Sequence, residues 1–304
     1  MKKKILIISG GISKERFVSI DTGLQVAKEL KKNKYRVRIS EPNNDLLKNI
    51  EDFKPDIIFN ALHGQFGEDG YIQTILEGFK IPYTHSGAIA SSIAMDKEVS
   101  KKIFTQNKIT TPKFFTYSFE DKRTDLIKKI KNQLKFPVVV KPFNEGSSVN
   151  VYMCNQKNIN IILNSLKNYK KVMIEKFIGG REIQVAILGK KILGAIELIP
   201  KRKFYDYEAK YNTNAKTQHI VKVSLPKKKL AEVSNIALKA HKIIGCKGVT
   251  RSDFKFYKNK FYLLEINTQP GMTKLSLVPE IAAYNGMSFI ELIEWIINDA
   301  TKKR

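Results

Sequence analysis

The 304-residue chain is predicted to combine an open α/β sheet with α+β units, and three observations carry that expectation. Residues 4–83 alternate short apolar runs with helical spacing, the pattern of βαβ units. Residues 114–177 repeat strand, helix and strand in a compact α+β order. Residues 248–271, GVTRSDFKFYKNKFYLLEINTQPG, read as two β-rich runs around a short polar turn, with carboxylates and an arginine on one face.

The start, MKKKILIISGG, has a basic opening, but its apolar run at 5–8 is too short for a signal sequence and ends in a glycine turn. It reads as a first buried strand. Further strands are expected at 36–39 and 57–62, and the helix after the first strand carries Val18, Leu24, Ala27 and Leu30 near helical spacing. The entry to that helix, GGISKE, places Glu15 where an anion would otherwise bind, which suits a cationic group such as an amine. A helix N-terminus also favours glutamate for structural reasons alone, so both readings stand. The loop NALHGQFGEDG at 60–70 follows a strand's carboxyl end, where open α/β sheets place ligands. His63 within it is either a ligand contact or a hydrogen-bonded structural histidine. Asp69 and Gly70 then begin a helix at 71–79. A boundary is expected in the stretch that ends at the break Thr110-Thr111-Pro112, dividing the chain into 1–93, 94–177 and 178–304.

In the middle unit, strand 137–141 leads into KPFNEGSS at 141–148 and then strand 149–153. Such a loop offers backbone N–H groups and hydroxyls to phosphate oxygens. The chain has no GxxxxGK[ST] match, which disfavours a Walker-type NTPase. Along 181–187, Glu182 and Gln184 share one strand face while Ile183, Val185 and Ile187 share the other. A strand-end backbone, an apolar side chain and a carboxylate suit adenine and ribose, although an edge strand has the same pattern. The polar segment 200–219 is longer than a simple connection and carries Tyr205, Tyr207 and Tyr211, as expected of a lid. Lys210 and Tyr211 are its candidates for reaching an active site. A helix at 226–244 should end at Gly245, and Ser288 with Glu291 has the spacing of a capping box. The last helix should pack through Ile290, Ile293, Ile296 and Ile297.

In the hairpin, a loop at 258–260 centred on Asn259 sets Asp253 opposite Glu265 and Arg251 opposite Asn267. Phe254, Phe256, Leu264 and Ile266 then point the other way. Facing carboxylates repel, and a divalent cation resolves the repulsion. The oxygen-only set Asp253, Glu265 and Asn267 favours Mg2+. The competing reading is that Arg251 simply neutralises a carboxylate pair.

Composition bounds the rest. A formal charge of +25 raises a polyanion-binding hypothesis, but the lysines are spread along the chain and no zinc-finger or RNA-binding aromatic signature accompanies them. No specific nucleic-acid partner is expected. No apolar run approaches the roughly 20 residues that span a bilayer, so no membrane partner is expected either. Cys154 and Cys246 support neither a disulfide framework nor a thiolate metal site, and a cytoplasmic setting is the simplest.

Taken together, GGISKERFVS at 10–19, His63-Gly64, EGSS at 145–148, FYDYEAKY at 204–211, Arg251 with Asp253, and EINTQPGMTKLS at 265–276 resemble the D-alanine:D-alanine ligase family of the ATP-grasp superfamily. The resemblance runs from end to end. It implies an ATP-grasp fold preceded by an N-terminal open α/β domain, and ATP-dependent joining of two D-alanines through an acyl phosphate for peptidoglycan synthesis. It implies two Mg2+ ions, with Mn2+ as a substitute, held by Asp253, Glu265 and Asn267. Lys97, Lys141, Ser147 and Ser148 would meet ATP phosphates, with Lys141 also near the adenine. Glu175, Lys176, Phe177 and Ile178 would hold the adenine, Glu182 the ribose, and Lys210 the transferring phosphoryl group. Glu15 would take the first ammonium with His63 nearby, Arg251 and the Gly271 N–H would stabilise the oxyanion, and Ser276 and Leu277 would position the second D-alanine. Glu15, Ser147 and Tyr211 match a trio that ties the lid closed, and a homodimer is expected. Tyr211 also favours an amine over a hydroxy acid as second substrate. Two positions depart from the pattern: Asn150 stands where glycine is usual, and Gln269 replaces a common small residue.

Overall fold

A computed structural model describes residues 2–43, 45–146, 149–200, 217–273 and 276–302. The first sheet is parallel, in the order β2-β1-β3, from β1 (Lys4–Ile8), β2 (Arg36–Ser40) and β3 (Ile57–Asn60). Ile5 to Ile8 are all fully buried, as the continuous apolar run requires of a central strand covered on both faces. Helix α1 (Arg16–Lys32) lies so close to the chain after β1 that a Cβ at Gly23 would sit 2.6 Å from the Ser9 Cβ. That approach selects the inward face. Val18, Thr22, Val26 and Leu30 are buried with Gly23, whereas Leu24, expected in the core, is 54 % exposed. Helices α2 (Asp45–Phe53), α3 (Tyr71–Gly78) and α4 (Ala88–Met95) follow. The Asp96 side chain then accepts the Glu98 and Val99 N–H groups and caps α5 (Lys97–Gln106), which puts Lys97 at the helix start.

The second sheet is antiparallel, in the order β4-β7-β5-β6, from β4 (Phe114–Ser118), β5 (Val138–Lys141), β6 (Tyr152–Cys154) and β7 (Lys171–Lys176). Helices α6 (Arg123–Lys129) and α7 (Ile159–Ser165) supply Leu126, Ile159 and Leu163 to its core. Strand β6 begins three residues later than expected, because Asn150 adopts φ +56° and turns the chain. Asparagine tolerates that left-handed conformation better than most residues, so it substitutes for glycine there.

The third sheet, in the antiparallel order β10-β9-β8-β11-β12, contains β8 (Arg181–Leu188), β9 (Lys191–Ile199), β10 (Gln218–Ile220), β11 (Val249–Tyr257) and β12 (Lys260–Asn267). Helix α8 (Lys227–Ile244) ends at Gly245, φ +80°, and packs Val233, Ala237 and Ala240 against Ile183, Val185 and Phe254. On the opposite face, Ala186, Leu188, Ile196 and Leu198 share one core with Ile5, Ile7 and Phe59 of the first sheet. Helices α9 (Leu277–Tyr284) and α10 (Phe289–Ala300) complete that core, and the Ser288–Glu291 capping box is formed.

The hairpin reaches its expected pairing by an unexpected route. Its turn has two residues, Lys258 and Asn259, at φ +47° and +61°, and Tyr257 pairs with Lys260. One residue of register is thereby lost, and a bulge at Leu264 restores it, so that Phe254 pairs with Leu263 but Asp253 with Glu265. Both cysteines are buried and free, and burial pushes their thiols up to about 12. Among the described residues, no helix is long and apolar enough to cross a membrane.

Candidate active site

Arg251 opposes Asn267 and Asp253 opposes Glu265 across β11 and β12, as the alternation predicts. Arg251 grips Asp253 with two bonds, Nε to Oδ1 at 2.7 Å and Nη2 to Oδ2 at 3.0 Å. Lys97 Nζ stands 3.6 Å from Glu265 Oε2. Two cations of the chain therefore balance the facing carboxylates. Asn267 Oδ1 accepts the Gln269 N–H at 2.7 Å, which orients its amide oxygen. Among the described residues no three His, Cys, Asp or Glu side chains converge, so any ion here depends on two carboxylates and an amide. That donor set, all hard oxygen, fits Mg2+ with most of its shell supplied by water and phosphate.

One cleft lies between the second and third sheets. Lys97, Lys141, Glu175, Lys176, Phe177, Ile178 and Glu182, each expected on the nucleotide side, all line it together with Asp253 and Glu265. Val139, Val151, Pro112 and Leu264 add apolar walls. Leu264 was expected to face away, but as the bulge residue it lines the cleft beside Glu265. Glu175 is fully buried between Lys141, at 2.8 Å, and Lys101, at 2.9 Å. Burial alone would push the Glu175 carboxyl up, but Lys101 and Lys141 hold it below the ordinary carboxylate value. Burial in turn lowers the Lys101 ammonium, against the attraction of Glu175. Glu182 pairs with Lys255 at 2.7 Å.

A second, more polar cleft joins the first at Lys97, Glu265 and the loop before Gly146. Glu15, His63, Arg251, Asn267 and Gly271 line it. The Glu15 carboxylate sits between two glycines: a Cβ at either Gly64 or Gly146 would lie 2.5 Å from Oε2. A Cβ at either point would displace the carboxylate, and at Gly64 the φ of +70° favours glycine as well. His63 Nδ1 meets Glu68 Oε1 at 2.9 Å, so Nδ1 carries the proton that the carboxylate accepts, and Nε2 lies 3.1 Å from the Thr22 hydroxyl. Lys97 Nζ donates to the Glu145 carbonyl at 2.7 Å and holds the loop before Gly146. Ser276 Oγ accepts the Thr273 N–H at 2.9 Å and lies beside Gly271, where a Cβ would approach it to 2.8 Å. The Leu277 side chain is buried in the core, leaving its backbone at the start of α9 as what it can present.

Ser147, Ser148, Lys210 and Tyr211 lie outside the described residues. Sequence reasoning misses the charged groups Glu68 and Lys255 and the bulge residue Leu264 in the cleft walls, and Lys101 buried behind Glu175. Lys101 sits in KEVSKKIF among lysines of surface type, and nothing local marks it as the fully buried one. Glu68 had a signal, being a carboxylate in the same glycine-rich loop as His63.

A parallel N-terminal sheet followed by two antiparallel sheets with a cleft between them defines the ATP-grasp class. Family models described as D-ala D-ala ligase N-terminus and C-terminus match residues 38–86 and 103–298. A D-alanine–D-alanine ligase of Pelagibacter ubique is 69 % identical over 304 residues, covering 100 % of both chains. That of Zymomonas mobilis is 41 % identical, covering 98 % of this chain and 94 % of its own. Among solved structures, D-alanine–D-alanine ligase from Bacillus anthracis complexed with ATP superposes with a TM-score of 0.85 at 33 % identity, covering 98 % of this chain and 97 % of that one. The chain belongs to the D-alanine–D-alanine ligase family.

Proposed function

We propose that the protein uses ATP to join two D-alanine molecules into D-alanyl-D-alanine for peptidoglycan precursor synthesis, releasing ADP and phosphate. One observation carries this reading: the apolar, lysine-lined cleft and the polar cleft with Glu15, His63 and Arg251 meet at Glu265 of the hairpin and at Lys97. A nucleotide and a small zwitterion bound there would bring a phosphoryl donor to a carboxylate.

The carboxylate of the first D-alanine would take the terminal phosphoryl group, forming an acyl phosphate and ADP. The amine of the second would then attack the carbonyl carbon, and phosphate would leave as the amide forms. Glu15, sunk between Gly64 and Gly146, offers a buried counter-charge for the first ammonium. Arg251 and the Gly271 N–H are the groups proposed to stabilise the oxyanion of the attack, a role worth about 3 kcal/mol per donor. Lys97 and Lys141 would hold phosphate oxygens, and Phe177, Ile178 and Leu264 would enclose the adenine with Glu175 and Lys176. Glu182 would accept from ribose, and Ser276 with the Leu277 backbone would orient the second amino acid. Asp253, Glu265 and Asn267 would hold two Mg2+ ions, with Mn2+ as a substitute. Bound there, the ions supply charge neutralisation for phosphoryl transfer.

The division into residues 1–93, 94–177 and 178–304 follows the three sheets. A cytoplasmic site of action fits an ATP-dependent reaction on free amino acids, and the family resemblance implies a homodimer, which sedimentation would test. The function is tested by phosphate release from ATP and Mg2+ with D-alanine, L-alanine or no amino acid, the product being identified by mass. D-alanine-dependent release of dipeptide is expected. Release that ignores D-alanine, or a D-alanyl ester formed preferentially with D-lactate, would overturn the assignment.

A further inference from the structure

We propose that Gln269 is a positioning residue whose side-chain amide sets the spacing between the two walls of the amino-acid cleft, an inference that rests on the D-alanine reading above. One wall carries His63 in the loop after β3. The other carries Asn267 at the end of β12 and Gly271 in the loop after it. Gln269 is 2 % exposed and bonds to both. Its Oε1 accepts from Asn60 Nδ2 at 2.8 Å, and its Nε2 donates to the carbonyl of Leu62, the residue before His63. Its own backbone N–H donates to Asn267 Oδ1 at 2.7 Å.

Asn60 makes the anchor rigid. It is fully buried, its Oδ1 accepts the Leu62 N–H at 3.1 Å, and its Nδ2 also donates to the Gly67 carbonyl at 3.1 Å. The amide of Gln269 therefore joins a loop that is already cross-braced. Three residues further on, the Met272 N–H donates to Thr22 Oγ1 at 3.4 Å, and the same hydroxyl meets His63 Nε2 at 3.1 Å. Gly271 is pinned between these two bridges, close enough to His63 that an added Cβ would stand 3.9 Å from Cε1. A serine at 269 cannot reach Asn60 and Leu62 with an amide. With it, the longer Met272 bridge would be the side-chain hydrogen bond left between this loop and the His63 wall among the described residues.

The test compares steady-state kinetics of the wild type, Q269S and Q269E with D-alanine and ATP varied separately, alongside melting temperatures and active-site titration. Glutamate keeps the acceptor for Asn60 and loses the donor to Leu62. We expect the D-alanine KM of Q269S to rise about tenfold or more, with a lower kcat, while the ATP KM stays within about twofold. Q269E, which sets a buried carboxylate oxygen against the Leu62 carbonyl oxygen, should be impaired at least as much as Q269S. A folded Q269S with unchanged D-alanine KM and kcat per active site would overturn the proposal. So would failure of both variants to fold, which would make Gln269 a structural residue only. A wild type without D-alanine-dependent dipeptide formation would sink the functional reading itself, whereas an active wild type with an indifferent Q269S sinks this inference alone.

Discussion

Lys101 is fully buried, and Glu175, at 2.9 Å, and the Thr111 hydroxyl, at 2.6 Å, are its close partners against the cost of burying its charge. Removing it leaves Glu175, in the wall of the first cleft, with Lys141 as its remaining ion-pair partner among the described residues. K101M is therefore expected to lower stability by about 3 kcal/mol, while K102M, at an exposed neighbour, changes it little. Urea unfolding of the two variants decides the matter, and equal midpoints would refute the triad's role. His241 offers a second test. Burial lowers its pKa to about 4 from the ordinary 6.5, outweighing the pull of Asp299, and its Nδ1 meets the Thr250 hydroxyl at 2.8 Å. The folded histidine stays neutral where the unfolded one is protonated. Between pH 6.5 and 4 the unfolded chain holds more protons, so stability is present above this window and is lost as pH falls through it. The loss attributable to His241 should be on the order of 3 kcal/mol, measured as the extra pH dependence of the wild type over H241Q. Identical pH profiles would remove His241 from the account.

The hairpin of β11 and β12 shows how an element can be read correctly for an incomplete reason. A three-residue turn and a regular ladder place Asp253 opposite Glu265, and so do a two-residue turn and one bulge. The difference falls on Leu264, which the regular ladder sends away from the cleft and the bulge brings into it. Local sequence does not separate the two solutions, because both give the same facing of Asp253 and Glu265. With φ positive at both Lys258 and Asn259, the turn is of the kind that Asn-Gly satisfies best. The double substitution K258N/N259G is expected to stabilise the protein by about 1 kcal/mol, raising its melting temperature by roughly 2 °C without changing kcat. A lower melting temperature would mean that the turn geometry is wrong. Helix α1 carries the same lesson from the other side. Its apolar periodicity is legible, but Gly23 fixes its rotation, and Leu24 is left outside.

For the molecule as a whole, a formal charge of +25 acts on every anionic partner at long range. ATP is steered by that field whether or not the lysines touch it. Raising KCl from about 50 to about 300 mM should increase the apparent KM for ATP several-fold while kcat changes little, since screening weakens capture before it weakens contacts inside the cleft. A KM insensitive to salt would confine the useful charge to the cleft lysines. Adventitious DNA binding should show the same salt sensitivity and survive D253N, whereas dipeptide formation should not.

By itself the sequence determined the fold class, the facing of Asp253 with Glu265, and the family. These are carried by local periodicity, by turn residues and by contiguous motifs. Tertiary structure alone decided that Lys101 closes the buried pair around Glu175 and that Gln269 reaches Asn60 across 209 positions. The physical reason is that each of these contacts pairs polar groups removed from water. Burial and pairing are set by which elements pack together, and no window of local sequence contains both partners and their surroundings.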